Sequence, residues 1–251
     1  MKSPRFIYKG KDYPLLTWTS TMDCWSWSLP AGKRGSCPME NLAPNSICNS
    51  CYAQQNRYRF RTVHDAQWAR FNYLRDDPAA CMSRIRDFIH DARLPYFRVH
   101  DSGDFHTVDM VRMWTDVVDH CKSTRFWFPT RAWVFPAWLP DLRRLASRPN
   151  ACVRPSAQHF GDEPPVVPGL SDATVSVHGG LPGILDCPKS VNHTTCDTEK
   201  CRTCWNKTGY VNYIRDTISN SITCDLGNES SQRATDSDRP DAAIFFAECT
   251  Q

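Results

Sequence analysis

Tyr96-Phe97-Arg98-Val99-His100-Asp101-Ser102-Gly103-Asp104-Phe105-His106 is the stretch on which the fold turns. Its first five residues read as a buried strand, and Gly103 permits a tight turn that lets Asp101 and Asp104 face one pocket. Before it lie two helical patterns, 64–75 and 79–92, the second with Cys81, Ile85, Phe88 and Ala92 on one face. After it Val108, Val111, Trp114, Val117, Val118 and Cys121 mark a helix, Arg125 to Phe128 a strand, and Trp138 to Ala146 another helix. Ala151 to Arg154 and Thr174 to Val177 follow as strands. Strand and helix alternate, so the chain is expected to be an α/β protein with a mostly parallel, partial (β/α) barrel-like sheet. Short strands are expected over Phe6–Tyr8 and Leu15–Trp18, and a last one over Ala242–Ala247. No repeat or composition shift divides residues 1–251, so one domain is expected, with an exposed polar loop over 226–241.

In parallel α/β sheets the chemistry collects at the carboxyl ends of the strands. Here four consecutive ends carry Asp101 to His106, Arg131 with Trp133, Gln158 with His159, and His178 with Gly179 and Gly180. Asp101, Asp104 and His106 are the catalytic candidates, for proton transfer or for positioning substrate. Arg131, Gln158, His159 and His178 are candidate substrate contacts, and His100 is a further proton-transfer candidate. The competing assignments are a helix cap for Asp104, turn bonds for Asp101, and ordinary structural histidines.

Cysteine placement is the second strong signal. Of 13 cysteines, Cys37, Cys48 and Cys51 fall in an aperiodic loop over 20–56, and Cys187, Cys196, Cys201 and Cys204 in a short knuckle over 187–205. Two residues between cysteines lets both thiolates reach one ion or cluster. Three thiolates leave a [4Fe–4S] cluster with an open iron, whereas a zinc completed by Cys24 or His64 would be structural. The four-cysteine group suits a closed zinc or a second [4Fe–4S] cluster equally. Tyr52, beside Cys51, is placed to shield a cluster from water. Cys81, Cys121 and Cys152 read as core residues, while Cys24, Cys224 and Cys249 have no assignment.

Bulk composition narrows the classes. Net charge of +3 is too small to argue for nucleic acid alone, although Arg57, Arg59, Arg61, Arg70 and Arg75 interleave with Tyr58, Phe60, Trp68 and Phe71. That mixture suits a phosphate backbone with stacked bases, or a solvated amphipathic helix. No segment has the roughly 20 apolar residues of a membrane span, and the N-terminus lacks an apolar leader core. A cytoplasmic site, with reduced thiols and no membrane partner, is expected; oligomeric state is not encoded in any pattern seen.

The run Ser26-Trp27-Ser28-Leu29-Pro30-Ala31-Gly32, with Cys37-Pro38, Cys48 to Ala53, Arg98 to Phe105, Cys187-Pro188 and Cys201 to Trp205, resembles the bacteriophage gene product 88 family over roughly residues 20–210. That resemblance implies the cytoplasm of an infected bacterial host and no mechanism. The Cys loop ending in Cys51-Tyr52-Ala53 is also similar to radical S-adenosylmethionine enzymes, which are partial barrels with a three-cysteine [4Fe–4S] cluster. It implies S-adenosylmethionine as a cofactor and a cofactor contact at Ser102-Gly103, where that family has a Gly-Gly-Glu strand end. Ten residues separate Cys37 from Cys48, more than that family's usual three. Asp101-Ser102-Gly103-Asp104-Phe105-His106 with Gly179-Gly180-Leu181 is similar to motifs of tRNA-guanine transglycosylases, relatives of which install 7-deazaguanine bases in phage DNA. There Asp101 would take the motif aspartate's role beside a zinc site. Three expectations result: an iron–sulfur, radical-type enzyme acting on a nucleotide or nucleic-acid base; a base-exchanging transglycosylase with zinc; or a metal-stabilised, non-catalytic protein that binds a host partner.

Overall fold

The computed structural model describes residues 1–37, 46–177, 181–192, 194–196 and 199–214. The expected strand at 242–247, the loop at 226–241, His178, Gly179, Gly180, Cys224 and Cys249 lie outside the described residues.

The chain opens with a hairpin of β1 (Arg5–Tyr8) and β2 (Lys11–Pro14). Its two-residue turn has both Lys9 and Gly10 at positive φ, the geometry that matches strand twist in a tight hairpin. Leu15 and Leu16, expected within a strand, are instead the buried link to β3 (Thr17–Thr19). A five-stranded sheet follows in the order β3-β4-β5-β6-β7, formed with β4 (Cys24–Trp27), β5 (Tyr96–Val99), β6 (Arg125–Thr130) and β7 (Ala151–Pro155). The β3–β4 pair is antiparallel, and the three remaining pairs are parallel. The crossovers carry α1 (Arg61–Asp76) and α2 (Pro78–Asp91), then α3 (Val108–His120), then α4 (Leu139–Ala146).

Alternation along each strand decides what each face meets. Trp25, Trp27, Phe97, Val99, Phe126, Phe128, Ala151 and Val153 join the helices in the main core. The intervening Cys24 and Trp127 pack on the opposite face with Cys196, Cys204 and Trp205. The helices therefore cover one side of the sheet and the cysteine knuckle covers the other.

Among the described residues the strands form separate sheets instead of one continuous barrel. A second, three-stranded parallel sheet runs β8-β10-β9, from β8 (Thr174–Val175), β9 (Leu185–Asp186) and β10 (Val211–Asn212), with α5 (Pro188–Asn192) after β9. One bridge, Ser156 to Thr174, joins the end of β7 to β8. The first parallel strand, β4, falls inside the stretch expected to be aperiodic loop. All four of its residues are buried, so no polar face exposes its period of two. Among the described residues no helix is long and apolar enough to cross a membrane.

Candidate functional site

The chain leaves β4 at the carboxyl edge of the sheet, runs through the Cys37, Cys48 and Cys51 loop, and re-enters the fold as α1. Backbone and side-chain bonds pin this loop across the strand ends. The Leu29 amide donates to Ser102 O at 3.0 Å, and Ser102 Oγ donates to Leu29 O at 2.8 Å. Ser36 Oγ accepts from the Asp104 amide at 3.2 Å, and the Ile47 amide donates to Gln158 O at 2.8 Å. The loop thus spans from the end of β5 to the end of β7, and the buried Ser102 serves it as an anchor.

Gly103 is required where loop and strand end touch. Its φ is +83°, and a Cβ there would lie 2.2 Å from Ser36 Oγ and 3.0 Å from Leu29 Cβ. Gly103→Ala should therefore destabilise the chain by about 1–3 kcal/mol from backbone strain alone, before any clash. A urea midpoint unchanged from wild type would remove this close approach from the account.

Cys37, Cys48 and Cys51 all lie on this anchored loop. Burial pushes the Cys37 thiol pKa well up, Asp104 and the Cys51 and Cys48 thiols act in the same direction, and a hydrogen bond from the Gly32 backbone opposes them. Cys37 thus shares one electrostatic neighbourhood with Cys48, Cys51 and Asp104.

The two aspartates diverge. Asp101 Oδ1 accepts from Arg98 at 2.6 Å, and Oδ2 accepts from Tyr58 OH at 2.8 Å with Ser28 Oγ at 3.5 Å. Tyr52 OH donates to Asp101 O at 2.5 Å and accepts from Arg98 at 3.2 Å. Burial, followed by the charge of Asp101, raises the Tyr58 pKa and keeps its hydroxyl a donor. Asp101 is therefore the hub of a latch that holds the two loop tyrosines onto β5. Asp104 turns the other way: it accepts from the Phe105 amide at 2.7 Å, Thr130 Oγ1 at 2.7 Å and the Arg131 amide at 2.8 Å, tying β5 to β6. Burial raises its pKa against the pull of those bonds. The cap of α3 is Thr107, whose hydroxyl accepts from the Met110 amide at 3.3 Å, so the helix-cap alternative for Asp104 does not hold.

The remaining candidates separate further. His106 is half-buried, edge-on to Phe71, with Nδ1 3.2 Å from Met110 Sδ, and burial lowers its pKa. His100 is sealed in the interior at φ +69°, without a partner on either ring nitrogen, and burial pushes it down to about 3. Its imidazole is neutral at physiological pH. Arg131 Nε donates to Ala157 O at 2.9 Å. Gln158 and His159 line an open cleft of about 300 Å³ with Trp133, Asp162 and Glu163. His159 Nδ1 lies 3.2 Å from Asp162 Oδ2.

On the opposite face Cys187, Cys196, Cys201 and Cys204 line one small cavity of about 10 Å³. The Cys196 amide donates to Thr21 O at 2.8 Å, the Cys201 amide to Cys196 O at 2.9 Å and Trp205 Nε1 to Phe97 O at 3.2 Å, docking the knuckle on the sheet. Cys24 belongs here: it packs with Cys196 and Cys204. Tyr213 OH is 3.1 Å from Cys204 Sγ, and burial pushes that thiol up to about 12. Among the described residues no cysteine forms a disulfide, and no three His, Cys, Asp or Glu side chains form a ready-made ion cage.

Sequence reasoning gave no role to the side chains of Arg98, Arg154 and Tyr213, and it put Tyr58 in a base-stacking strip, where the structure has it bonded to Asp101. The two arginines had a readable signal, since each is a charge inside an otherwise apolar buried strand. The tyrosines had none.

Neither curated proteins nor solved structures give a match to this chain. A family profile described as gene product 88 matches residues 7–207. That span takes in the latch, the loop thiols and the knuckle up to Trp205, and the chain therefore belongs to the gene product 88 family.

Proposed function

We propose that this chain is an iron–sulfur enzyme acting on a nucleotide or nucleic-acid base during phage infection. The observation that supports the reading is that the loop bearing Cys37, Cys48 and Cys51 is tied to the carboxyl ends of the parallel strands through Leu29, Ser36 and Ile47. Those three thiolates would hold a [4Fe–4S] cluster, whose fourth iron stays open to a small molecule such as S-adenosylmethionine. Cys187, Cys196, Cys201 and Cys204 would hold a second metal on the far face.

The protein's own residues supply the setting. Tyr52, Tyr58, Arg98 and Asp101 clamp the thiol-bearing loop, and Leu29 and Ser102 seal its base. Gln158 and His159 border the open cleft at the end of β7, which a substrate could enter beside the loop. Arg57, Arg59 and Arg61 are exposed just after Tyr52, and Phe60 is 65% exposed among them. Such a strip fits phosphates and a stacked base. Arg70 leaves that set, because it is buried and donates to Pro14 O and Ser28 O. Asp101 has both carboxylate oxygens engaged, which weighs against the nucleophile role of the transglycosylase reading.

The test is metal and sulfide analysis of protein purified without oxygen. A brown protein with about four iron and four sulfide per cluster, lost in Cys37→Ala/Cys48→Ala/Cys51→Ala, is the expected result. A colourless wild-type protein with zinc and no sulfide would overturn the reading.

A further inference from the structure

We infer that the thiol-bearing loop is a docking surface for a single nucleic-acid strand, so that the substrate base arrives within a polynucleotide and not as a free nucleotide. The inference deepens the reading above and rests on it for the chemistry at the strand ends. The docking itself needs no cluster to be measured.

Charge is the first observation. Residues 24–64 hold Lys33, Arg34, Arg57, Arg59 and Arg61 against the one acid Glu40, five cations to one anion and a net +4. The whole chain carries only +3, so all the residues outside this segment together carry −1. Elsewhere on the surface Arg5, Arg86, Arg112 and Arg148 each reach an aspartate within 3.0 Å. Lys33, Arg34, Arg57 and Arg59 are exposed and form no ion pair among the described residues. Arg61 has Asp65 at 3.7 Å, with its own side chain 89% exposed. The first turn of α1, which Arg61 opens, holds no acid and has no side-chain cap, so the positive end of the helix dipole adds to the strip.

Both ends of this charge are tied to one turn. Ser36, two residues beyond Arg34, bonds the Asp104 amide, and Tyr58, between Arg57 and Arg59, bonds Asp101 at 2.8 Å. Asp101 and Asp104 are joined by at most about 11 Å of chain. The cations therefore flank the same strand end that the cysteine loop crosses.

Phosphate attraction alone does not select a single strand, but aromatic exposure does. Phe60 is 65% exposed between Arg59 and Arg61, and Tyr52 is 50% exposed although its hydroxyl is bonded to Asp101 O. Rings set among cations stack on unpaired bases, which a duplex keeps inside. An anionic membrane is the poorer match, because it takes up a free apolar helix face. The apolar face of α1 is already spent on the core through Ala66, Ala69, Phe71 and Leu74.

The experiment is fluorescence anisotropy of the full chain with labelled strands of about 20 nucleotides, one of deoxythymidine and one of uridine, and with the matching duplex. At least one single strand should bind, and more tightly than the duplex. Arg57→Ala/Arg59→Ala should weaken that binding tenfold or more and flatten the slope of log affinity against log salt by about 1.4, the share of two phosphates on a single strand. Phe60→Ala should weaken it about fivefold or more, the low end for one lost stack, with an unchanged urea midpoint because the ring is exposed. No binding, equal affinity for strand and duplex, indifference to either variant, or full displacement by polyglutamate at equal charge would overturn the inference. Colourless wild-type protein that still binds the strand would sink the iron–sulfur function and leave the docking surface standing, whereas brown protein that binds no strand would do the reverse.

Discussion

Arg154→Met should cost about 3–5 kcal/mol of stability, the scale of disrupting a buried charged network. Arg154 is fully buried, and its partners among the described residues are all backbone carbonyls. Its guanidinium donates to Asp172 O at 2.7 Å, Gly209 O at 2.8 Å, Asn206 O at 2.7 Å and Thr203 O at 2.9 Å, with longer contacts to Cys204 O and Ala173 O. Replacing a buried ion pair by apolar residues is often harmless, because both partners leave together. Here the partners are backbone carbonyls and stay behind, and each unsatisfied buried acceptor costs about 1–3 kcal/mol. Arg154→Lys should rescue little, since one ammonium cannot reach carbonyls spread around a planar fork. Urea denaturation of the two variants, with metal content measured alongside, checks this. A loss under about 1 kcal/mol in Arg154→Met would show that the carbonyls find other donors.

Asp101→Asn should cost about 3 kcal/mol and loosen the Cys loop selectively. Asp101 and Arg98 have side chains only 12% and 14% exposed, so little water is available to replace the lost charge. The substitution leaves Arg98 facing a neutral amide and puts a donor where Tyr58 OH already donates. Tyr58→Phe removes a single hydrogen bond and should cost only about 1 kcal/mol. The site-specific readout is alkylation. Cys37, Cys48 and Cys51 should react faster in Asp101→Asn, while Cys81 and Cys152, buried in the body of the fold, keep their wild-type rates. Equal acceleration at all five would mean global unfolding and not release of a latch.

How much of this was written in the sequence depends on which residues are asked. The helices over 61–76, 78–91 and 108–120 were readable because one face of each is apolar and the other is not. The strands at 96–99, 125–130 and 151–155 were readable from short apolar runs between turn signals. The strand Cys24–Trp27 was not, because burial on both sides erased its alternation. For the candidate site, spacing pointed to two cysteine groups, but only the fold shows that one sits on a loop tied to the carboxyl ends of the strands and the other packs on the sheet face away from the helices. Asp101 and Asp104 looked like a matched pair because they flank Gly103. Left-handed backbone at both His100 and Gly103 sends them apart, one to the loop and one to β6. Arg98 and Arg154 were legible as oddities, and their partners are backbone and tyrosine groups distant in sequence, which no local pattern encodes.

The strict division of labour between odd and even positions in the sheet also bears on how the chain can change over evolutionary time. A one-residue insertion inside β5 or β7 would rotate every later side chain of that strand to the wrong side, driving Arg98 or Arg154 in among Phe97, Phe126 and Trp114 and delivering aliphatic groups to the thiols. Lengthening the connections meets no such barrier, because the added residues carry no facing rule. Relatives of this protein should therefore differ in length between strands and hardly ever within them.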